Sequence, residues 1–208
     1  MWTAIAIVLI TGYVLGAIPS AVIIARYHGV NIFKVGSGNP GATNVKRTLG
    51  KKAGNLCFIF DGLKGLVATA WPFLAYYQQG DVVLLGGLGL LASVLGHRFS
   101  LFIGFRGGKG VATAMGGLVA LMPIVLLIGA VVWIAIFFTL RYVSVASLAF
   151  ALSLPISTFF LRGVDGHLIL SFILMLLLAV SHRSNLIRLV KGEESRFERK
   201  SKKASKPS

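Results

Sequence analysis

The sequence predicts an all-α, polytopic integral membrane protein with about seven transmembrane helices, some of them short. Of its 208 residues, 56% are hydrophobic and only 13% are charged, whereas an ordinary soluble domain carries about 25% charged residues. The mean hydropathy is +0.83. The apolar residues also form long runs separated by short basic loops, which is typical of a chain that crosses a bilayer repeatedly.

Six apolar stretches approach or exceed the ~20 residues that a crossing helix needs. They cover residues 2–25, 53–77, 82–96, 111–140, 142–161 and 168–180. The first resembles a signal peptide, but it has no basic segment at its start and its apolar run is too long. We therefore interpret it as the first span. Glycines within the spans, such as Gly12, Gly16 and Gly86, are expected to let helices pack closely.

Charge in the loops constrains the number of crossings, because cytoplasmic loops collect Lys and Arg. Residues 26–52 contain six basic residues and no acidic one. Residues 97–110 contain three basic residues and no acidic one. The segment from Arg183 onward contains nine basic residues against three glutamates. All three segments are therefore expected in the cytoplasm, which places the N-terminus outside, the C-terminus inside, and requires an odd number of spans.

The fourth stretch decides between six spans and seven. Its 30 residues would reach roughly 45 Å as one helix, well beyond a bilayer core of about 30 Å. Pro123 is expected to end one short helix and begin the next, since proline lacks the N–H of a helix interior. This split gives seven spans and leaves Arg141 on the cytoplasmic side. Five spans with re-entrant pieces are the alternative.

We predict one membrane-embedded domain over residues 1–196 and a basic, disordered cytoplasmic tail over residues 197–208, attracted to anionic lipid. The net charge of +15 is confined to loops and tail, which favours lipid headgroups and phosphorylated ligands as partners and no nucleic acid. Cys57 is the single cysteine and lies in an apolar run. An intramolecular disulfide and a cysteine metal site are therefore excluded.

The first glycine-rich loop, residues 36–47, has the composition of a phosphate site. Glycines let N–H groups converge on an anion, polar side chains add hydrogen bonds, and a cation neutralises the charge. Tight turns and helix caps use the same residue types. The phosphate interpretation is favoured because three glycines and two cations stand together here. The candidate ligands are Gly36, Ser37, Gly38, Asn39, Thr43, Asn44 and Arg47.

The second loop, residues 104–113, is not a nucleotide P-loop, because Gly110 follows Lys109 where that motif has Ser or Thr. We expect a more general anion site, in which Gly107, Gly108 and Gly110 expose N–H groups near Lys109 at the start of a helix. A flexible hinge would not need a lysine.

Three further sets of polar residues are candidates. His182 and Asn185 share a helical face at i, i+3 spacing, and a histidine there is by itself more often structural. Asp61 and Lys64 lie within the second span, where an ion pair that stabilises the helix is favoured over contact with the site. Isolated serines such as Ser147 carry little weight alone.

Together, residues 36–47, 96–113 and 182–194 resemble the three motifs of the bacterial acyl-phosphate:glycerol-3-phosphate acyltransferases, in the family's order and over nearly the whole chain. The resemblance implies transfer of a fatty acyl group from acyl phosphate to the 1-hydroxyl of glycerol 3-phosphate. The products are lysophosphatidic acid and inorganic phosphate. It implies no metal or organic cofactor, the bacterial inner membrane, a cytoplasmic active site, and a functional link to the enzyme that makes acyl phosphate.

The resemblance also implies roles for individual residues. Ser37 and Arg47 match the important serine and arginine of the first motif, and Lys109 and its glycines match the glycerol-3-phosphate loop. His182 and Asn185 match the pair of the third motif, and the resemblance implies that Ser37, His182 and Asn185 are catalytic. Glu194 matches a structural acid, and Ser147 matches a serine near the site. The general base is open between His182 and a substrate phosphate oxygen. A transporter of an anionic solute and a lipid-binding scaffold are the alternative functions.

Overall fold

The computed structural model describes residues 1–76 and 81–197. These residues form helices joined by loops and contain no β-strand. Ten α-helices occur in these residues: α1 (Trp2–Ala17), α2 (Ser20–Tyr27), α3 (Ala42–Leu49), α4 (Lys51–Ala75), α5 (Val82–Arg98), α6 (Val111–Leu121), α7 (Pro123–Leu140), α8 (Val143–Arg162), α9 (Gly166–Ser181) and α10 (Arg183–Val190). Residues 198–208, most of the expected tail, lie outside the described residues, so its disorder stays a prediction.

Five helical segments of the described chain are long and apolar enough to cross a bilayer. They are Trp2–Tyr27, Lys51–Ala75, Val82–Ile103, Pro123–Leu140 and Val143–Arg162. A sixth appears if α9 and α10, which meet at an angle of 55°, form one span. The all-helical membrane architecture is thus the predicted one. A count of seven depends on α6, whose 11 residues extend only about 16 Å.

Two prolines break apolar runs into separate helices. The predicted break at Pro123 is confirmed, because α6 ends at Leu121 and α7 begins with Pro123 in its first turn. A second break, which the sequence analysis did not anticipate, separates α1 from α2 at Pro19. The Ile18 carbonyl, which the break leaves outside the regular helical pattern, accepts hydrogen bonds from the Ser20 N–H at 3.1 Å and from the Lys64 ammonium at 3.0 Å.

Glycines bring helix backbones into close contact, as predicted for Gly12 and Gly16. A methyl group at Gly16 would overlap the backbone of Ser93, so α1 approaches α5 only because no side chain intervenes. The α4–α6 contact is built the same way, since a methyl group at Gly116 would overlap the Gly62 carbonyl. These contacts fix α6, and with it the second glycine-rich loop, against the rest of the bundle.

Candidate active site

The polar clusters predicted from the sequence converge on one cavity of about 800 Å³. Its wall includes most of the candidate residues: Gly36, Ser37, Asn39, Thr43, Asn44, Arg47, Asp61, Lys109, Gly110, Ser147, His182, Asn185 and Glu194. Gly38, Gly107, Gly108 and Lys64 are not part of that wall. Segments from α3, α6 and α10 therefore meet at one end of the bundle.

Asn44 organises the first loop. Its side-chain oxygen accepts a hydrogen bond from the Ser37 N–H at 2.9 Å, and its amide nitrogen donates to the carbonyls of Val35 and Ile32. The side chain is buried and fully engaged by its own loop. Gly36 has a φ of +58°, a left-handed conformation that glycine adopts without strain. The Ser37 N–H is consequently not free to bind an anion, although the residue lines the cavity.

Arg47 belongs to α3, a helix that begins within the segment described from the sequence as a loop, and it lines the cavity. Its guanidinium forms no ion pair within residues 1–76 and 81–197; an aromatic ring, that of Phe197, lies 5.3 Å from it. A guanidinium presents several donors in one plane and binds phosphate through two of them at once. Arg47 is therefore a cation whose hydrogen-bonding capacity is available to a ligand.

The expectation that Gly107 and Gly108 present free N–H groups is wrong. The Gly107 N–H donates to the Arg98 carbonyl at 3.0 Å, and the Gly108 N–H donates to the His97 carbonyl at 3.1 Å. These glycines are required for packing instead, because a methyl group at either position would overlap the end of α5. The loop is thus held against α5, which positions the residues that follow it.

Lys109 and the start of α6 form the positive end of the cavity. Lys109, Gly110, Val111 and Ala112 all line it, so the first N–H groups of a helix of 11 residues lie beside an ammonium group. Burial, together with the positive charges of Arg188 and Arg47, lowers the pKa of Lys109 from 10.5 to about 8, against the opposing effect of Glu194. Such a site favours an anion.

His182 occupies the junction between α9 and α10 and is buried. Its Nδ1 lies 2.8 Å from the Leu178 carbonyl oxygen. A carbonyl can only accept, so Nδ1 carries the proton, and Nε2 of the neutral ring is left as an acceptor. The imidazole is oriented by its own helix and borders the cavity, which suits a group that accepts a proton.

Glu194 holds two residues of α10 in place. Asn185 donates through Nδ2 to Glu194 Oε1 at 2.6 Å, and Arg188 donates through Nε to Oε2 at 2.8 Å. Burial raises the pKa of Glu194, but its interactions with Asn185, Ser144 and the Arg188 guanidinium outweigh burial and lower the pKa overall. Because the carboxylate engages the amide nitrogen, Asn185 Oδ1 is left buried without a partner among the described residues. That oxygen can accept a hydrogen bond from a ligand.

Asp61 and Lys64 form the ion pair that the sequence analysis favoured, with 2.9 Å between Oδ1 and Nζ. Both side chains are buried. His97 Nδ1 lies 3.6 Å from the same Asp61 oxygen, and Lys64 also contacts the Ile18 carbonyl. The cluster thus joins α4 to α5 and to the break after α1, behind the second loop. Asp61 and His97 reach the cavity wall, whereas Lys64 does not.

Another part of the cavity wall is apolar. It is formed by Phe58, Met115, Trp133, Phe137, Phe138, Val143 and Phe197. Phe58 and Phe138 are 45% and 62% exposed, so this wall continues to the outer surface of the helix bundle. Ser147 accepts a hydrogen bond from Trp133 Nε1 at 3.2 Å, which connects α7 to α8 at the cavity.

Residues 6–192 match the protein family described as glycerol-3-phosphate acyltransferase. The chain belongs to the glycerol-3-phosphate acyltransferase family. It is 43% identical over 192 residues to the glycerol-3-phosphate acyltransferase of Aquifex aeolicus, covering 90% of this chain and 96% of that protein. It is 42% identical over 202 residues to that of Desulforudis audaxviator, covering 94% and 98%.

A solved structure of PlsY, an integral membrane glycerol 3-phosphate acyltransferase in its glycerol 3-phosphate form, is also similar. It superposes with a TM-score of 0.86 at 40% identity, covering 93% of this chain and 96% of the other. The lysophosphatidic acid form gives a TM-score of 0.84 at 39% identity. Taken with the apolar helices, this likeness identifies the present member of the acyltransferase family as a multi-pass membrane protein.

Several residues at the cavity of this acyltransferase family member were missed by the sequence analysis. Phe58, Trp133 and Phe197 carry no local signal, because an aromatic residue in an apolar run is equally expected to face lipid or the core. His97 does carry one: it is a polar residue at the end of a span. In the described parts of the chain, no three His, Cys, Asp or Glu side chains converge as metal ligands would.

Proposed function

We propose that the protein transfers a fatty acyl group from acyl phosphate to the 1-hydroxyl of glycerol 3-phosphate, giving lysophosphatidic acid and inorganic phosphate. This is the first step of phospholipid synthesis. The observation that carries the proposal is one cavity lined by cations that have no ion pair in the described residues, by a helix N-terminus and by an apolar wall. Two phosphorylated substrates and a fatty chain require this combination.

The polar end has enough positive charge for two phosphate groups. Lys46, Arg47 and Lys109 line it without an ion pair in the described residues, whereas the two acidic residues of the wall, Asp61 and Glu194, are each paired with a cation. In our proposal Arg47 and Lys109 hold glycerol 3-phosphate. The Ser37 hydroxyl and the start of α6 hold the phosphate of the donor.

The apolar wall would accommodate the acyl chain. Phe58 on α4 and Phe138 on α7 are partly exposed on the outer surface of the bundle, where lipid surrounds a membrane protein. A chain dissolved in the bilayer could therefore reach the cavity without crossing water. The hydrophobic effect would retain it there.

The reaction needs no covalent enzyme intermediate in this scheme. The 1-hydroxyl oxygen attacks the acyl carbon, the bond between that carbon and the bridging phosphate oxygen breaks, and the electron pair leaves with inorganic phosphate. The hydroxyl proton passes to His182 Nε2 or to a phosphate oxygen of the substrate. Asn185 Oδ1, held by Glu194, would orient the attacking hydroxyl. Because an acyl phosphate is already activated for acyl transfer, orientation of the substrates and stabilisation of the developing charge then account for the acceleration of the reaction.

We further propose seven spans, with the N-terminus outside, the C-terminus in the cytoplasm and the cavity on the cytoplasmic side of the bacterial inner membrane. The basic loops at residues 26–52 and 97–110 support this orientation, and both contribute to the cavity. The short α6 is the fourth span in this scheme. No cofactor takes part, and the partner required is an enzyme that produces acyl phosphate.

The test is release of inorganic phosphate by the purified protein supplied with palmitoyl phosphate and glycerol 3-phosphate. Arg47→Ala and Lys109→Ala are compared with Arg26→Ala and Lys191→Ala, matched cations that do not line the cavity. We expect turnover that needs both substrates and that falls by about tenfold or more, to a low but measurable level, only in the first pair. No release from folded protein would contradict the proposal, and uptake of glycerol 3-phosphate into vesicles would then identify a transporter.

A further inference from the structure

The segment that follows α10 closes over the cavity. We call residues 193–197 the C-terminal strap. Its first residue, Glu193, donates its N–H to the Arg188 carbonyl at 2.8 Å, and its last, Phe197, donates its N–H to the Arg141 carbonyl at 3.0 Å. Arg196 Nε adds a hydrogen bond to the Leu140 carbonyl at 3.2 Å. The strap is therefore anchored by backbone contacts to α10 and to the end of α7.

These anchors place the Phe197 ring between two elements of the cavity. The ring packs edge-on against Phe137, with 5.8 Å between centroids, and the Arg47 guanidinium lies 5.3 Å from its centroid. All three side chains line the cavity. The distance is within the range of a cation–π contact. A residue from the extreme end of the described chain thus contacts the cation of the first loop.

This contact is suited to positioning a phosphate ligand. Arg47 is exposed, and a long exposed side chain samples many rotamers. A guanidinium over an aromatic ring is attracted to the ring face and still carries N–H donors for an anion. Within residues 1–76 and 81–197 no carboxylate or carbonyl receives those donors. The ring would thus restrict the cation without competing with an anion for it.

We propose that Phe197 is a positioning residue for the phosphate of glycerol 3-phosphate, and that it acts through its cation–π contact with Arg47. This inference rests on the proposed function and extends it, because it makes the C-terminal strap part of the acceptor site. It assigns a specific chemical requirement, an aromatic face, to a position outside the three sequence motifs.

The experiment compares Phe197→Tyr, which keeps the aromatic face, with Phe197→Leu, which keeps apolar bulk alone. The backbone anchors remain in both variants. We expect Phe197→Leu to raise the KM for glycerol 3-phosphate about fivefold, the size of one cation–π contact, with little change in kcat or in the KM for palmitoyl phosphate. Phe197→Tyr should keep the wild-type values. Phe160→Ala, an aromatic residue outside the cavity, is the control for a general loss of packing.

A double-mutant comparison isolates the contact from a structural role. In an Arg47→Ala background, Phe197→Leu should have no further effect on the KM for glycerol 3-phosphate. An additive effect would overturn the inference, as would a Phe197→Leu variant with the wild-type KM or a Phe197→Tyr variant as impaired as Phe197→Leu.

A binding readout separates this inference from the proposed reaction. Glycerol 3-phosphate should raise the thermal midpoint of the wild-type protein, and of Phe197→Tyr, more than that of Phe197→Leu. If the wild type shows this protection without turnover, the reaction is wrong and the phosphate contact stands. If turnover occurs and protection is equal in all variants, the reaction stands and the role of Phe197 is wrong.

Discussion

Asn185 and Glu194 are joined by a hydrogen bond of 2.6 Å between the amide nitrogen and one carboxylate oxygen. The other carboxylate oxygen accepts from Arg188. The acid therefore acts from outside α10 to hold the Asn185 amide in one orientation. Nine residues separate the two along the chain, so neither local helix geometry nor spacing alone produces this contact.

Replacing Glu194 by Gln should lower turnover with little loss of fold. The variant keeps the size of the side chain but loses the charge that accepts two donors, each worth about 1.5–3 kcal/mol with a charged partner. We expect kcat to fall about tenfold to hundredfold in a phosphate-release assay. Glu193→Gln, next to it and exposed, should be unaffected. Equal activity in both variants would show that the amide needs no such orientation.

Activity should fall as the pH rises through about 8, where Lys109 loses its proton. The ammonium binds phosphate and the neutral amine does not, so the KM for glycerol 3-phosphate should rise above this pH while it stays flat below. Lys109→Arg keeps a charge at all these pH values and should show no such rise. If the KM of Lys109→Arg rises above about pH 8 as it does in the wild type, the rise belongs to the titration of another group.

Lys109 should also reduce stability near neutral pH. Its pKa is about 8 in the folded protein and 10.5 ordinarily, so the unfolded chain binds more protons between these values and stability rises with pH across that window. Lys109→Met should therefore raise the thermal midpoint at pH 7 while it reduces activity. A lower midpoint would mean that the ammonium stabilises the fold. Thermal unfolding at pH 7 and above pH 10 is the measurement.

Removing only the Lys64 charge should destabilise the fold more than removing both charges of the Asp61–Lys64 pair. Lys64→Met leaves a buried carboxylate without its cation, which costs about 3–5 kcal/mol. The double variant Asp61→Asn, Lys64→Met should recover much of this loss. Thermal unfolding in detergent measures both. A double variant as unstable as the single one would instead assign the stability to the contact between Lys64 and the Ile18 carbonyl.

The α4–α6 contact offers a prediction about packing and activity together. Gly116→Ala should lower both the thermal midpoint and the rate of phosphate release. The added methyl group would overlap the Gly62 carbonyl and displace α6 from α4. Gly62→Ala is a matched control on the same contact, where the methyl group would lie 3.7 Å from the Ala112 carbonyl oxygen and be tolerated. Thermal unfolding and phosphate release are measured for both; a tolerated Gly116→Ala would mean that the helices can separate without cost.

Much of the fold was predictable because membrane helices leave a strong compositional record. The apolar runs are predictable because the core of a bilayer contains no water. The break at Pro123 is predictable because proline lacks the N–H that a helix interior needs. The break at Pro19 was not predicted, because it lies in a run that is apolar throughout and its freed carbonyl is satisfied by Lys64, 46 residues away.

The candidate site was predicted by residue type more accurately than by role. The sequence indicated two phosphate loops, and both do line the cavity. However, it predicted Asn44, Gly107 and Gly108 as ligand-binding groups. The Asn44 amide instead forms hydrogen bonds within its own loop, and the two glycines pack on α5. A polar side chain or a free N–H looks the same in a sequence whether its partner is a substrate or a carbonyl.

The sequence by itself determined that this is a helical membrane protein with three polar clusters and a family resemblance, because hydrophobicity, charge and glycine content are properties of the residues alone. Only the tertiary structure decided which groups are free. It paired the Asp61 and Glu194 carboxylates with cations, left Asn185 Oδ1 buried without a partner among the described residues, and brought the Phe197 ring to 5.3 Å from the Arg47 guanidinium. Each of these depends on contacts between distant segments, where each buried donor or acceptor must find a partner or be left for a ligand.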